Sequence, residues 1–141
     1  MDSKTLMKTY LIEVGQNGRL DLIKTIAQPD MIDEANRAFG GPVGRDGLIA
    51  HVKTFRSQIG ELRLEIKKIM GNENEVMAHW FFTGIHRGPW LKREATGKEV
   101  SADVFSFFKL KDGLISHYRL WLCAMIDRLV IFDSSRPRIE K

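Results

Sequence analysis

The sequence has little cysteine, no long apolar run and no block of charge of one sign. With one cysteine, Cys123, among 141 residues, the chain can form no internal disulfide and offers no cysteine-rich zinc site. No apolar run approaches the ~20 residues of a membrane-spanning helix, and Met1–Lys8 lacks the apolar core of a secretory signal. We therefore expect one domain over residues 1–141, outside any membrane, in the reducing environment of the cytoplasm.

The charge pattern argues against a nucleic-acid partner. The formal net charge is +4, but lysines and arginines are scattered among acids along the whole chain. A small basic cluster occurs only at the end, at Arg136, Arg138 and Lys141. A nucleic-acid-binding face normally concentrates its basic residues in a stripe or patch, so we expect no nucleic-acid partner.

Signatures of metal, nucleotide and nucleophile chemistry are also missing. The four histidines, His51, His79, His86 and His117, fall on different predicted elements, and none pairs with another at the spacing of two ligands on one helix face. The segment GGPVGRDG (40–47) lacks the lysine–hydroxyl pair of a phosphate-binding loop, and no nucleophile elbow occurs. We expect no metal and no cofactor, and the remaining residues suit proton transfer.

The first half of the chain has helical periodicity. Apolar residues from Leu6 to Val14 recur at helical spacing behind the capping candidates Asp2 and Ser3, and the pattern stops at Gly15–Gly18. A short second helix is predicted to end before Pro29. Met31–Gly44 is predicted to form a short strand and a loop.

A third helix is predicted from Asp46, as its capping residue, to Gly60. From Leu62 the apolar period changes to two, which is typical of a half-buried strand. Glu75–Ile85, Glu99–Leu110 and Leu114–Ile126 are further β-rich runs, and Lys111-Asp112-Gly113 predicts a hairpin between the last two. Helices followed by a long, mostly antiparallel sheet predict an α+β domain.

Several short motifs occur together in a fixed order. They are a G-x-x-G-L helix start, an E-L-R strand, GIHRG (84–88), ATGKEV (95–100) and KDGLI (111–115). In this combination the chain resembles the SnoaL-like polyketide cyclase family of the nuclear transport factor two-like superfamily, from about Leu6 to Asp127. Within it we place the nearest relatives among fungal isomerases and cyclases that rearrange ring systems in meroterpenoid biosynthesis.

The resemblance implies a cone-shaped curved antiparallel or mixed sheet wrapped around N-terminal helices. The mouth of the cone would bind a hydrophobic polycyclic small molecule, and the convex face of the sheet would form a homodimer. The implied chemistry is cofactor-independent acid/base catalysis on an activated carbonyl compound, which needs a base and a donor to the enolate oxygen in a dry pocket.

The last strand departs from the family pattern. Where family members carry an acid and, about six residues later, a catalytic aspartate, this chain has His117 and Cys123, and the next acid is Asp127. Alternation predicts one face with Ile115, His117, Arg119, Trp121 and Cys123 and the other with Ser116, Tyr118, Leu120 and Leu122. We predict that the first face lines the pocket, with His117 catalytic and Arg119, Trp121 and Asp127 contacting substrate. The alternative for His117 is a surface or structural role.

Three further residues are predicted to be catalytic. Glu61 opens the first long strand and would act as base or orient a histidine; otherwise it is a solvated acid at a strand end. His51 lies among apolar residues of the third helix and would polarise a substrate oxygen, unless it is only hydrogen-bonded in place. Arg37 precedes a GGP loop and would anchor a carboxylate, ester or enolate oxygen from above the mouth, unless it is a surface arginine.

Two weaker substrate-binding candidates remain. Asp103 lies between apolar residues on a strand, which is unusual for a carboxylate, and His86 either contacts the ligand or pins the GIHRG turn. Together these residues favour an isomerase or cyclase acting on a polyketide- or terpenoid-derived ketone, ester or lactone. The alternatives are a dehydratase or epoxide hydrolase of the same fold, or a non-catalytic binding or scaffolding protein.

Overall fold

The N-terminal helix begins at a side-chain cap and widens before it ends. In the computed structural model, which describes residues 1–90, 92–126 and 129–134, α1 spans Ser3–Lys8 and continues as a π-helix over Thr9–Gln16. Asp2 Oδ1 accepts a hydrogen bond from Thr5 N at 2.7 Å, as expected of a capping residue. The predicted helix is therefore confirmed. Its inward face, Leu6, Met7, Leu11 and Val14, is fully buried.

The end of the π-helix is tied to two neighbouring elements. The guanidinium of Arg56 donates to the carbonyl oxygens of Gly15, at 2.9 Å, and Gln16, at 2.5 Å. The side-chain oxygen of Gln16 in turn accepts from Leu64 N at 2.7 Å. The two bonds from Arg56 satisfy carbonyl groups that the end of a helix leaves without partners, and all three bonds together fix the position of Gly15.

A short connecting region follows and contains one helix that the sequence did not predict. A 3₁₀ turn, Leu20–Leu22, leads into α2, Ile23–Ile26, and then into β1, Ala27–Asp33. The expected short strand is present as β1, although it starts before Met31. The predicted loop after it begins instead with α3, Glu34–Ala38. The side chain of Asp33 ends β1 and caps α3, accepting from Asn36 N at 3.2 Å.

The longest helix, α4, spans Arg45–Gln58 and starts one residue before the predicted cap. Its N-cap is Gly44, whose φ of 66° lies in the left-handed region. A Cβ at Gly44 would also lie 2.5 Å from the carbonyl oxygen of Pro29, so glycine is required there on both counts. Asp46 lies in the first turn of α4 rather than at its cap.

Within the described residues, six strands form one mixed sheet. After β1 come β2, Ile59–Gly71; β3, Glu75–His86; β4, Glu99–Lys111; β5, Leu114–Ile126; and β6, Leu129–Ser134. The order across the sheet is β1-β5-β4-β3-β2, with β6 also paired to β5. Only the β1–β5 pairing is parallel among these strands. Asp112 and Gly113 have φ of 53° and 76°, which confirms the predicted β4–β5 hairpin.

The helices cover the concave face of this curved, unclosed sheet, so the predicted α+β architecture is confirmed. Strand alternation sends the even-numbered residues of β3 and β4 into the core between helices and sheet, including Trp80, Phe82, Val104 and Phe108. None of the helices in the described ranges is long and apolar enough to cross a membrane.

Candidate active site

A cavity of about 140 Å³ lies between the helices and the concave face of the sheet. The sheet contributes a mostly apolar wall, and α4 and the π-helix contribute the opposite side. The sheet residues are Leu64, Trp80, Phe82, Val104, Tyr118, Leu120 and Leu122; the helical residues include Tyr10, Gly15, His51, Phe55 and Gln58. Trp90 closes one side. Among the described residues that line the cavity, His51 is the one histidine, and none is an acid, a lysine or an arginine.

A histidine–aspartate pair stands at the wall of this cavity. His51 Nδ1 lies 2.6 Å from Asp33 Oδ2, and the Asp33 side chain is only 1% exposed. Both carboxylate oxygens of Asp33 therefore accept hydrogen bonds, one from His51 and one from Asn36 N. A carboxylate that only accepts leaves the proton of the neutral imidazole on Nδ1 and the lone pair on Nε2.

Local sequence places the two members of this pair. In β1 the alternate residues Met31 and Asp33 are buried, so the strand delivers the carboxylate to the interior. On α4, His51, Phe55 and Gln58 recur at helical spacing and all line the cavity. The imidazole is also stacked on Tyr118 of β5, with ring centroids 5.7 Å apart and planes inclined by 16°. His51 is thus held by a hydrogen bond to Asp33 and by ring stacking on Tyr118.

Tyr118 belongs to a buried chain of hydrogen bonds. Trp80 Nε1 donates to Ser106 Oγ at 2.9 Å, and Ser106 Oγ lies 3.1 Å from the Tyr118 hydroxyl. Because the indole can only donate, Ser106 is left free to donate its own proton to Tyr118. The hydrogen bond between Tyr10 and Tyr118 lowers the pKa of Tyr118 and raises that of Tyr10, so Tyr10 is its donor and the Tyr118 proton is left for a ligand.

Burial controls the protonation of both tyrosines. Loss of hydration raises the pKa of Tyr118 above its ordinary value, and the nearby Asp33 charge adds to this, while the hydrogen bond from Ser106 opposes it. Burial likewise raises the pKa of Tyr10 well above its ordinary value, with Tyr118 as the next contribution. Both phenols therefore stay neutral at physiological pH and can donate hydrogen bonds.

The predicted face of β5 is the one that points away from the cavity. Tyr118, Leu120 and Leu122 line the cavity, so His117, Arg119 and Trp121 lie on the convex face of the sheet. His117 Nδ1 lies 3.3 Å from Ser116 Oγ, and the Arg119 guanidinium stacks on the Trp121 ring, 5.0 Å from its centroid. The predicted pocket face of β5 is therefore wrong, and these three residues lie outside the cavity.

A bulge also divides β5 into two registers. Lys109 of β4 pairs with His117, whereas the next residue, Leu110, pairs with Ile115, so Ser116 is extra. Ile115 consequently faces the core with Leu110 and is fully buried, instead of sharing a face with His117 as alternation predicted. Strict alternation counted from Ile115 therefore assigns the residues after this bulge to the wrong face of the sheet.

Asp103 lies on the convex face as well. Its carboxylate is 2.7 Å from His79 Nε2, and the His79 ring is stacked on Phe105 with centroids 4.6 Å apart. The unusual carboxylate among apolar strand residues is thus paired with a histidine on the outside of the sheet, and its predicted contact with substrate is not supported.

Glu61 and Arg37 are both exposed and lie outside the cavity lining. Glu61 is in a bulge of β2 with φ of 51°; its side chain is 68% exposed and 3.5 Å from Arg87. Arg37 is on α3 with a side chain 62% exposed, and it forms an ion pair with Glu34 at 2.8 Å. Of the four predicted catalytic residues, the structure brings only His51 to the cavity.

His86 pins the turn between β3 and β4. Its Nδ1 lies 3.1 Å from Thr96 Oγ1, its backbone oxygen accepts from Gly97 N, and its backbone N–H donates to the Lys98 oxygen. The ring is buried beside Trp90, and it does not line the cavity. These contacts match the structural alternative for this residue. Asp127, also predicted to contact substrate, lies outside the described residues.

Sequence reasoning missed Asp33 and Tyr118. An aspartate directly before the helix-forming segment Glu34–Ala38 is a capping signal, and it could have located the end of β1. Nothing in the sequence indicates that the same carboxylate meets His51, 18 residues away. Within the described ranges, no three His, Cys, Asp or Glu side chains are grouped so as to hold a metal ion.

Comparison with solved structures shows the same fold in several bacterial proteins. TsrD from Streptomyces laurentii has a TM-score of 0.76 at 20% identity and matches 86% of this chain and 90% of its own. A SnoaL-like polyketide cyclase from Agrobacterium tumefaciens has a TM-score of 0.72 at 16% identity and matches 89% of this chain and 92% of its own.

A third similar structure is IdmH from Streptomyces antibioticus, with a TM-score of 0.68 at 17% identity over 84% of this chain and 90% of its own. No curated protein matched the chain. These comparisons do not support the expectation that the nearest relatives are fungal enzymes of meroterpenoid biosynthesis. The sequence model of one family, described as SnoaL-like polyketide cyclase, matches residues 5–127, and the chain belongs to that family.

Proposed function

We propose that this protein is a cofactor-independent enzyme that isomerises or cyclises a carbonyl compound, with His51 as the general base. The observation that carries the proposal is the Asp33–His51 pair at the wall of an apolar cavity, with His51 Nε2 left without a hydrogen-bond partner among the described residues. Membership of a family of polyketide cyclases supports the reaction class. A polyketide- or terpenoid-derived ketone, ester or lactone would supply the activated carbon.

The proposed reaction begins with removal of a proton from the carbon next to the carbonyl group. Nε2 of His51 accepts this proton, and Asp33 stabilises the imidazolium that results. The electron pair of the broken C–H bond moves to the carbonyl oxygen, and the Tyr118 hydroxyl donates a hydrogen bond to the enolate. Return of the proton to another carbon gives an isomer. Alternatively, the enolate carbon attacks a second carbonyl of the same molecule and closes a ring, and the proton on His51 passes to the oxygen of the attacked carbonyl.

Burial of Asp33 supports an enzyme over a passive binding protein. A carboxylate that is 1% exposed loses its hydration on folding, which costs several kcal/mol unless the charge is paired. A buried acid whose partner is a histidine at a cavity wall is the arrangement expected where an imidazole must gain and lose a proton.

The test is deuterium exchange into 1-phenylpropan-2-one, a neutral ketone whose benzylic protons are activated by the carbonyl group. The wild-type protein should exchange these protons faster than buffer, and His51→Gln should lower the protein-catalysed rate by at least about 100-fold. Tyr118→Phe should lower it less, because the base remains. The measurement is loss of the benzylic proton signal by NMR at constant pD.

His117→Gln is the matched control, since it removes a histidine from the opposite face of the same sheet. Its exchange rate should equal that of the wild type. A wild-type rate no greater than that of buffer, or equal rates in the wild type and His51→Gln, would contradict the proposal.

We further propose that a second copy of the chain covers the convex face. Met77 and Phe105 are 43% and 42% exposed there, and Trp121 lies on the same face. Adjacent apolar side chains of this size on a sheet favour association. Light scattering should give twice the chain mass, and Phe105→Glu should give the monomer mass. Phe39→Glu is the control, because Phe39 is exposed on the loop after α3; a dimer that survives Phe105→Glu would contradict this proposal.

A further inference from the structure

The size of the cavity limits its ligand. Its volume is about 140 Å³. An apolar cavity of about 150 Å³ is sufficient to bind benzene. Sites for larger, drug-sized ligands are typically about 300–1,000 Å³. One six-membered ring with a short substituent therefore fills this space, and a fused three-ring compound extends beyond it.

The walls are held in place, so they do not readily widen. The Trp80 indole is fixed by its hydrogen bond to buried Ser106, and Phe55 packs edge-on against Trp80 and Phe82 with centroids 6.4 and 5.0 Å away. Phe82 is fully buried and meets Trp90 at 6.0 Å on its other side. Displacing any one of these rings would break its packing contacts with the other rings of the core.

The lining also selects for a neutral ligand. Its polar groups are His51, Tyr118, Tyr10, Thr54 and Gln58, and no lysine or arginine is among the described lining residues. Burying a carboxylate or phosphate against such a wall leaves its full charge without a lysine or arginine partner, at a high cost. The carboxylate of Asp33, which is hydrogen-bonded to His51 at this wall, would repel an anion further.

Gly15 bounds the space available to the ligand. It lines the cavity at the end of the π-helix, without a side chain. A Cβ added there would meet only Tyr10 O at 3.5 Å and Leu64 Cδ1 at 3.9 Å, which are ordinary contact distances. A methyl group is therefore accommodated, and a branched side chain occupies space that the ligand needs.

We infer that the site takes a neutral one-ring carbonyl compound, rather than the polycyclic substrate that the sequence suggested, and that Gly15 sets the upper size limit. The carbonyl group in this inference rests on the proposed function, whereas the ring number and neutrality rest on the cavity alone. Gly15 is a residue that determines specificity.

Calorimetry with three probes tests the inference. 1-Phenylpropan-2-one should bind the full-length protein. Phenylacetate, which has the same number of heavy atoms but carries a charge, and 1-(anthracen-2-yl)propan-2-one should each bind at least about tenfold more weakly. Equal or tighter binding of either, or no detectable binding of 1-phenylpropan-2-one, overturns the inference.

Two variants of one position then test Gly15. Gly15→Val should weaken binding of 1-phenylpropan-2-one at least about tenfold, while Gly15→Ala should change it less than about threefold. Both are accepted as folded only if their unfolding midpoints match the wild type to within a few degrees. Equal affinity of the folded Gly15→Val variant and the wild type overturns the assignment of Gly15.

Binding and exchange separate the two hypotheses. His51→Gln should still bind 1-phenylpropan-2-one while losing exchange, because the cavity keeps its size. Binding of the one-ring ketone without exchange by the wild type rejects the proposed catalysis and keeps the size limit. Exchange accompanied by tight binding of the three-ring ketone rejects the size limit and keeps the catalysis.

Discussion

The protein contains two histidine–aspartate pairs of nearly equal length on opposite sides of one sheet. Asp33 and His51 are 2.6 Å apart beside the cavity, and Asp103 and His79 are 2.7 Å apart on the convex face. Asp33 is 1% exposed, whereas Asp103 is 48% exposed. The distance between the partners is thus uninformative, and their surroundings determine what each pair can do.

Those surroundings differ in two physical respects. Water and salt screen the outer pair, so its partners lose little when separated. The buried Asp33 carboxylate has no solvent to replace a lost partner. It accepts hydrogen bonds both from the backbone of α3, at Asn36 N, and from His51. Loss of either partner of the inner pair should therefore destabilise the fold, whereas the outer pair of the monomer can vary with little effect on stability.

The largest contrast is expected in stability. Asp33→Ala should lower the free energy of unfolding by about 2–4 kcal/mol, because it removes the cap of α3 and leaves His51 Nδ1 unpaired. Asp103→Ala should lower it by less than about 1 kcal/mol. Urea unfolding at neutral pH measures both, at a protein concentration where the chain is monomeric. Equal losses would show that the two pairs are energetically the same.

The next contrast is in catalysis, with isosteric variants. Asp33→Asn keeps the shape of the side chain but removes the charge that stabilises the imidazolium, so exchange into 1-phenylpropan-2-one should slow about 10-fold or more. Asp103→Asn should leave the rate unchanged. A slow Asp103→Asn variant would show that catalysis depends on the convex face, which would contradict our proposal.

A third contrast appears at high pH, since the charge of Asp33 in the inner pair acts on the buried tyrosines Tyr10 and Tyr118. Burial raises the pKa of Tyr118 above the ordinary 10.0, so the folded protein keeps a proton that the unfolded chain loses above this pH. The stabilisation is complete below pH 10 and declines above it, by about 1.4 kcal/mol per pH unit for each such tyrosine. Tyr118→Phe should make the decline shallower by that amount, in urea unfolding above pH 10. Parallel curves would contradict it.

The smallest effect is expected at the outer histidine. His79→Gln should change the free energy of unfolding by about 0.5 kcal/mol or less at physiological ionic strength, and by less still at 1 M salt. Denaturation of the monomer at two salt concentrations measures this. A larger change that persists at high salt would mean that the convex-face pair is not screened.

Much of the fold was predictable because it follows from local patterns. The helical period that ends at Gly15–Gly18, the limits of β5 and the Asp112-Gly113 hairpin all depend on residues close together in sequence. Propensity and turn chemistry act at that range. α3 was missed because a five-residue helix after a strand gives little periodicity to detect.

The site was less predictable, because it depends on which face of a strand is covered. Alternation grouped Tyr118 with Leu120 and Leu122 correctly, but it could not say that the helices pack on that side. An acid among apolar residues, Asp103, drew attention to the convex face, although its partner is another surface residue. The contact between Asp33 and His51 joins β1 to α4 through tertiary packing, which no short-range pattern encodes.

The positions of the tryptophans give the protein optical reporters on both sides of its sheet. Trp80 and Trp90 line the cavity, while Trp121 lies under Arg119 on the convex face, and the chain has only these three. Indole emission depends on local polarity and on nearby quenchers, so an occupied cavity and a covered convex face would each alter a different indole. With Trp121 replaced by phenylalanine, the remaining fluorescence would come from the cavity alone, and ligand entry could be followed in real time without a label.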